Sequence, residues 1–315
     1  MAYHQLTQEE RYTISSGLAL RLSRREIARM LGRSLSTVSR EIARNRTRHD
    51  GRYRGAIAHS YAIARRRRAR RGPQYDKETM ARVWRALRLK WSPEQIVGTF
   101  RSEGIPVPSP ETLYRYLRRD KRLGGSLYRH TRIMSKMGRK RHGSRPARGR
   151  LLGKRHISER PRVVEQRLRV GDWEGDTVMG RGSSHCLLTL AERKSGLVLI
   201  RKLRARTSDE AISAALKLIS EQPGKFKSLT FDNGTEFHSY ERIEAAHGIK
   251  VYFATPYHSW ERGTNENTNG LIRQYLPKGK NLARVTQNQC DQIAHALNTR
   301  PRKRHGYLTP LDIFG

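Results

Sequence analysis

The chain has 315 residues, enough for two or three domains, and its 65 Lys and Arg against 28 Asp and Glu give a formal net charge of +37. A surplus this large opposes folding by self-repulsion unless a polyanion neutralises it, which indicates nucleic acid or, as the alternative, an anionic membrane surface. No apolar stretch reaches the roughly 20 residues of a membrane span and no apolar signal segment opens the chain, while two cysteines are too few for a zinc-finger set or a disulfide framework.

Residues 1–50 are predicted to form a helix-turn-helix DNA-binding domain. Two Ser/Thr-x-x-Glu capping boxes begin its first two helices, and Gly32 ends the second. The third helix turns its apolar residues inward and leaves a hydroxyl-and-arginine face for the major groove. A small helical bundle with a solvated basic face is the alternative. The side chains expected to contact DNA are Thr37, Arg40 and Arg44.

Residues 51–120 are predicted to form a basic helix followed by a second unit that resembles a helix-turn-helix. We expect Arg65 and Arg66 of the basic helix to bind DNA phosphates, although a solvated basic helix is the alternative. Ser-Pro-Glu occurs at Ser92 and again at Ser109. Serine at the N-cap with proline at the first helical position favours a helix start at both places.

Residues 121–165 are rich in basic residues, Gly and Pro, and are predicted to form a linker that orders on nucleic acid. Residues 166–315 follow with three strands, then helix, strand, helix, strand and helix. This order predicts an α/β domain with a mixed sheet flanked by helices. The strands are expected over 172–179, 185–191, 197–202, 227–232 and 249–253, and the helices over 208–221, 239–247, 264–276 and 286–297.

Three acidic residues of this domain form the candidate catalytic and metal site. A crossover after the first helix would place the strand that ends in Asp232 beside the strand that contains Asp176, and a later helix would bring Glu266 across the sheet. Carboxylate oxygens suit Mg²⁺, and two ions about 4 Å apart can activate an attacking oxygen and stabilise a leaving one. Taken singly, Asp232 is also typical of a turn, and Glu266 of a helix start.

Other residues compete with this assignment. Asp176 could instead pair with Arg181 or Arg193. The nearest rival acids are Glu174, which strand alternation puts on the face of Asp176, and Glu236. Four aromatic residues are expected in the core rather than as stacking platforms for bases: Trp173, Tyr252, Tyr257 and Trp260.

A run of seventeen residues over 262–278, Arg-Gly-Thr-Asn-Glu-Asn-Thr-Asn-Gly-Leu-Ile-Arg-Gln-Tyr-Leu-Pro-Lys, closely resembles the signature of the insertion-sequence-thirty family of bacterial transposases. Residues 173–176, 231–237 and 298–303 and the amino-terminal helix-turn-helix also resemble that family. The resemblance implies a ribonuclease-H-like integrase core in which Asp176, Asp232 and Glu266 are the DDE triad. It implies Mg²⁺ as cofactor, two ions to a site, with Mn²⁺ able to substitute.

The same resemblance implies an enzyme that binds the terminal inverted repeats of its element, cleaves a DNA strand and transfers it to target DNA. Arg273, Lys278 and Lys280 would hold phosphate near the metal ions. Joining two ends implies a homodimer or higher multimer on double-stranded DNA in the bacterial cytoplasm, at the nucleoid and not at a membrane. One alternative is a repressor or nucleoid factor that binds DNA without catalysis. The other is a nuclease that acts on RNA or an RNA–DNA hybrid. The major groove of such A-form duplexes is deep and narrow, so it suits the amino-terminal module poorly.

Overall fold

The computed structural model describes residues 5–68, 75–132, 134, 153–256 and 258–315, apart from the side chains of Arg67 and Ser259. The chain divides into two compact units, Met1–Gln74 and Tyr75–Gly315. Within the described ranges no helix is both long and apolar enough to cross a membrane.

Four helices form the first unit around one apolar core. The two predicted capping boxes are present at Thr7 and Ser23, and Gly32 follows α2 in the left-handed conformation (φ +60°) that glycine tolerates best. Ala58 of the basic helix packs into the core formed by the other three helices, so this helix belongs to the first unit rather than beyond the expected boundary at residue 50. The helices are α1 Gln8–Ala19, α2 Arg24–Met30, α3 Leu35–Asn45 and α4 Gly55–Arg68.

The second unit begins with three helices that pack around their own core. Ser92 and Ser109 are N-caps with proline directly after them, as predicted. The middle of the expected linker, residues 133 and 135–152, lies outside the described residues. Its described flanks carry regular structure, including short 3-10 helices at Leu127–His130 and Ile157–Glu159. The helices of this part are α5 Lys77–Arg88, α6 Pro93–Ser102, α7 Pro110–Arg122 and α8 Arg162–Glu165.

A five-stranded mixed sheet is the centre of the second unit, as the element order predicted. Its strand order is β3-β2-β1-β4-β5, in which β1, β2 and β3 are antiparallel neighbours and β4 runs parallel to both β1 and β5. The crossover after β3 therefore returns the chain beside β1, with Glu174 opposite Thr230. The strands are β1 Asp172–Met179, β2 Cys186–Glu192, β3 Val198–Leu203, β4 Ser228–Phe231 and β5 Lys250–Phe253.

Helices cover both faces of this sheet. Adjacent strand residues alternate between the two cores: Leu188 packs with Ile212 on one face, and Leu187 with Ile272 and Leu297 on the other. The first core holds α9 and α10, and the second holds α11 and α12. These helices are α9 Ser208–Ser220, α10 Glu241–His247, α11 Gly263–Ile272, α12 Gln287–Asn298 and α13 Pro310–Phe314.

Candidate active site

Asp176 and Asp232 lie on neighbouring parallel strands. Asp176 is in β1, two residues beyond the pair Glu174–Thr230, and Asp232 follows the last residue of β4. Parallel strands end at the same edge of a sheet, so both carboxylates reach the carboxyl edge of this one. Neither side chain is fully exposed, since 23% of the Asp176 side chain and 33% of the Asp232 side chain is accessible. The predicted adjacency of the two strands is confirmed.

The guanidinium of Arg262 lies between these two carboxylates. Its Nη2 is 3.3 Å from Oδ2 of Asp232, and its Nη1 is 3.9 Å from Oδ1 of Asp176. Nη1 also donates to the carbonyl of Gly175 at 3.3 Å. The alternative pairing of Asp176 with Arg181 or Arg193 is not found among the described ion pairs, where Arg193 pairs with Glu174. Arg262 forms the described ion pairs with both aspartates.

Hydrogen bonds fix the orientation of the Asp176 carboxylate. Nδ2 of Asn269 in α11 donates to its Oδ2 at 2.6 Å, and the backbone N–H of Thr177 donates to its Oδ1 at 2.8 Å. Burial raises the pKa of Asp176 to about 6, Arg262 opposes this rise, and the charge of Asp232 adds to it. The ionised carboxylate is therefore destabilised by burial, and a cation beside it is favoured.

Glu266 lies in the first turn of α11 with an exposed side chain. It precedes Asn269 by three residues, so the two share a helix face. The described ranges nevertheless hold no group of three His, Cys, Asp or Glu side chains arranged to bind a metal ion. The expectation of three carboxylates already gathered in one pocket is corrected here: the two aspartates meet, and the Arg262 guanidinium lies between them.

The two rival acids are buried in ion pairs of their own. Glu174 pairs with Arg193 and accepts the backbone N–H of Asn265 at 2.9 Å, which holds the start of α11 against β1. Glu236 accepts from Nε of Arg206 at 2.7 Å. Both carboxylates are at most 1% exposed and already have cationic partners. Asp176 and Asp232 are therefore more accessible than either rival acid.

The chemistry of this donor set fits a divalent cation. Carboxylate oxygens are hard ligands, and two of them on adjacent strands leave ligand positions for phosphate and water. The pair already attracts one cationic group, the Arg262 guanidinium. Asp176 and Asp232 could hold a metal ion once that guanidinium withdraws, with Glu266 approaching from α11.

All five residues predicted to bind DNA in the first unit line one groove of about 320 Å³. The acid in this groove, Glu41, is neutralised by Nε of Arg11 at 2.7 Å. A groove in which basic side chains prevail, lined by both α3 and α4, suits a nucleic-acid backbone. The five residues are Thr37, Arg40, Arg44, Arg65 and Arg66.

The three basic residues predicted beside the metal site have different surroundings. Arg273 is half-buried, and its Nη2 donates to the carbonyl of Met179 at 2.8 Å, which ties the end of α11 to β1. Lys278 and Lys280 are exposed in the segment after α11. The two lysines are therefore accessible to phosphate, while part of Arg273 is used within the fold.

The aromatic residues were predicted only in part. Trp173 and Tyr252 are buried as expected, and Tyr257 lies outside the described residues. Trp260 is 69% exposed, so its expected place in the core is wrong. It stacks on His258 with a centroid distance of 4.4 Å, in the short 3-10 helix Ser259–Arg262 that leads into α11.

Two domain families and several known proteins are similar to this chain or to parts of it. A helix-turn-helix domain family matches residues 2–45, and an integrase core domain family matches residues 169–259. The transposase of insertion sequence element IS4351 from Bacteroides fragilis is 42% identical over 309 residues, covering 98% of this chain and 95% of the relative. The transposase InsI of element IS30C from Escherichia coli K12 is 38% identical, covering 99% and 84%. The catalytic core of HTLV-2 integrase in complex with magnesium is 24% identical with a TM-score of 0.36, covering 46% of this chain and 96% of that one.

The mixed sheet, its integrase core match and the transposase relatives define a DDE polynucleotidyl transferase with a ribonuclease-H-like core and an amino-terminal helix-turn-helix domain. Members of the integrase core family depend on divalent metal ions. The chain belongs to the IS30 family of insertion-sequence transposases. Its activity is DNA transposition.

Proposed function

We propose that Asp176, Asp232 and Glu266 are the catalytic carboxylates of this transposase. The observation that carries the proposal is the meeting of Asp176 and Asp232 at the carboxyl edge of two adjacent parallel strands. Support for Glu266 comes from Asn269, which shares its helix face and contacts Asp176. We propose that a rearrangement at the start of α11 brings the Glu266 carboxylate toward the other two.

Mg²⁺ is the proposed cofactor, with two ions to a site, and Mn²⁺ is expected to substitute for it. When bound, the ions would supply activation of the attacking oxygen and stabilisation of the leaving oxygen in an in-line displacement at phosphorus. The residues of the chain determine where the ions would bind. Asn269 and the backbone of Thr177 hold Asp176 in one orientation, and Arg262 must withdraw from both aspartates before the site can be loaded.

The first reaction proposed is hydrolysis of a phosphodiester at the element end, which frees a 3′-hydroxyl. That hydroxyl then attacks a phosphodiester of the target DNA, so one strand is transferred as the target bond breaks. Lys278 and Lys280 would bind phosphates near the reacting group. Because two element ends are joined to one target, we propose at least a homodimer on DNA.

Recognition of the terminal inverted repeats is proposed for the groove of the first unit. Thr37 lies in the first turn of α3, the end of a recognition helix that contacts base edges, and Arg40 follows it three residues later on the same helix face. Arg65 and Arg66 of α4 add positive charge beside it, which suits the phosphate backbone.

The test is incubation of the full chain with linear DNA that carries the element's own ends, with and without Mg²⁺, followed by mapping of the new termini. We expect breaks at the element ends that require the metal ion. Cleavage at random positions, or equal cleavage without divalent ions, would refute the proposal. Stronger competition by an RNA–DNA hybrid than by duplex DNA would instead favour a nuclease for hybrids.

A further inference from the structure

A second strongly basic site lies in the same unit as the aspartate pair. It is a cleft of about 370 Å³ between the start of α6, one side of α11 and residues 300–304. Among the residues that the structure describes, six basic side chains line it against one acidic side chain, Glu94. We call this site the basic cleft, and its basic residues are Arg132, Arg167, Arg300, Arg302, Lys303 and Arg304.

The basic cleft and the aspartate pair lie on different sides of α11. Thr264 and Thr268 of this helix line the cleft. Asn265 and Asn269, one residue further along in each turn, contact β1 through Glu174 and Asp176. One helix therefore separates the two sites, and a helix with its side chains is about 10 Å across.

The wall of the basic cleft is fixed by hydrogen bonds across a long stretch of sequence. Oε1 of Gln95 accepts from Nε of Arg300 at 2.9 Å, and Nε2 of Gln95 donates to the carbonyl of Pro301 at 2.6 Å. Nη1 of Arg300 donates to Oε1 of Gln274 at 2.9 Å. The cleft is thus built before any ligand arrives, which lowers the entropy cost of binding.

Two arginines of the basic cleft, Arg300 and Arg304, donate to neutral groups. Arg300 is only 3% exposed, yet both of these acceptors are neutral amides. Arg304 likewise donates to a neutral oxygen, the carbonyl of Lys194. Burial lowers the pKa of Arg300 and of Arg302 to about 10, and neighbouring cations contribute to both shifts. Buried cations in such surroundings are stabilised by an anion.

We infer that the basic cleft binds the phosphodiester backbone of the duplex whose strand reacts at the aspartate pair. The inference rests on the proposed function, which places the reacting phosphate at Asp176 and Asp232. Successive phosphates advance about 3.4 Å along a B-form strand, so one helix diameter corresponds to about three nucleotides. The cleft would therefore hold phosphates roughly three nucleotides from the reacting one. DNA is the favoured polyanion because it is the substrate of the family.

Site-specific cross-linking of the full chain tests this inference. Lys303 is exposed at the cleft, and both native cysteines are buried, so Lys303→Cys introduces an accessible thiol. The matched control is Lys217→Cys, exposed on α9, which packs on the other face of the sheet. Each variant is mixed, without divalent ions, with duplexes that carry a disulfide-activated tether on one phosphate. Separate sets place the tether in the element end and in the target DNA.

We expect Lys303→Cys to cross-link about tenfold faster than the control, because a bound phosphate raises the local concentration of its tether. The rate should peak for tethers about three nucleotides from the cleavage position, and the set that gives the peak identifies the bound duplex. Equal rates for the two variants would overturn the inference. So would a flat profile, or stronger competition by an RNA duplex of the same sequence.

Salt dependence provides a second measurement. Lys303→Gln should lower the slope of log affinity against log salt by about 0.9, the value of one phosphate contact, while Lys217→Gln leaves it unchanged. Neither measurement needs catalysis. Metal-dependent cleavage without cross-linking would reject the basic cleft alone, whereas cross-linking without cleavage would support the cleft and reject the proposed function.

Discussion

Arg262 donates from Nη2 to Oδ2 of Asp232 at 3.3 Å, from the residue directly before α11. Its Nη1 is 3.9 Å from Asp176. Arg262, whose guanidinium lies between the two aspartates, is thus the N-cap residue of the helix that carries Glu266. Withdrawal of Arg262 and approach of Glu266 would both need movement at this one junction, so metal loading and rearrangement of the start of α11 are expected to be coupled.

We expect Arg262→Ala to bind Mn²⁺ about tenfold more tightly than the parent chain. A hydrogen bond to a charged group contributes about 1.5 kcal/mol, and its loss removes that competition with the metal ion. Titration of the full chain with Mn²⁺, without DNA and followed by electron paramagnetic resonance, measures binding independently of catalysis. Arg242→Ala is the control, because Arg242 pairs with exposed Asp209. Unchanged or weaker binding by Arg262→Ala would show that the guanidinium does not compete.

Asp232→Asn should abolish metal-dependent cleavage of element ends and leave end binding within about twofold, since the groove of the first unit is untouched. Loss of one carboxylate charge weakens metal binding far more than it alters the fold, because a third of the side chain is exposed. The measurements are a cleavage assay and fluorescence anisotropy on the same duplex. Asp209→Asn, at a side chain that is 89% exposed, should cleave normally. Cleavage by Asp232→Asn at the parental rate would end the assignment.

Local patterns in the sequence were sufficient to predict the elements that position the site. Short strand-like runs separated by turn residues predicted the strands, and the Ser-Pro starts at Ser92 and Ser109 predicted α6 and α7. The adjacency of Asp176 and Asp232 followed because a crossover returns the chain to a neighbouring parallel position. These features depend on periodicity, capping and chain topology, which are local or nearly so.

The partners of individual charged side chains could not be predicted in this way. Arg262 reaches Asp232 because the short 3-10 helix before α11 turns it inward, and nothing in its sequence neighbourhood specifies that turn. Arg193 likewise pairs with Glu174 across the sheet rather than with Asp176. Trp260 was expected in the core because tryptophan is a large apolar residue, but its side chain lies at the surface. Such details depend on tertiary packing.

Arg193→Met should destabilise the second unit by about 3–5 kcal/mol, because Glu174 would remain buried without its cationic partner. Glu174 is fully buried and its other oxygen accepts the N–H of Asn265, so it cannot reach water by a rotamer change. Urea unfolding followed by circular dichroism measures the effect. Arg242→Met, which removes a surface ion pair, should change the unfolding midpoint little. Similar midpoints for both variants would contradict a dominant role for the buried pair.

Arg40→Ala and Arg66→Ala should weaken DNA binding in different ways, although both residues line the same groove. Nε of Arg40 donates to the carbonyl of Ser36 at 3.0 Å, which holds the side chain along α3, where it can read base edges. Its loss should cost about 1–3 kcal/mol of binding free energy on the element end and change the preferred sequence at one position.

Arg66 lies on α4 beside this helix, so its loss should weaken binding to all duplexes alike and reduce the salt slope by about 0.9. Anisotropy titrations on element-end and scrambled duplexes at several salt concentrations separate the two effects. If both variants lost the same affinity for both duplexes, Arg40 would contact the phosphate backbone. The assignment of α3 as the recognition helix would then be wrong.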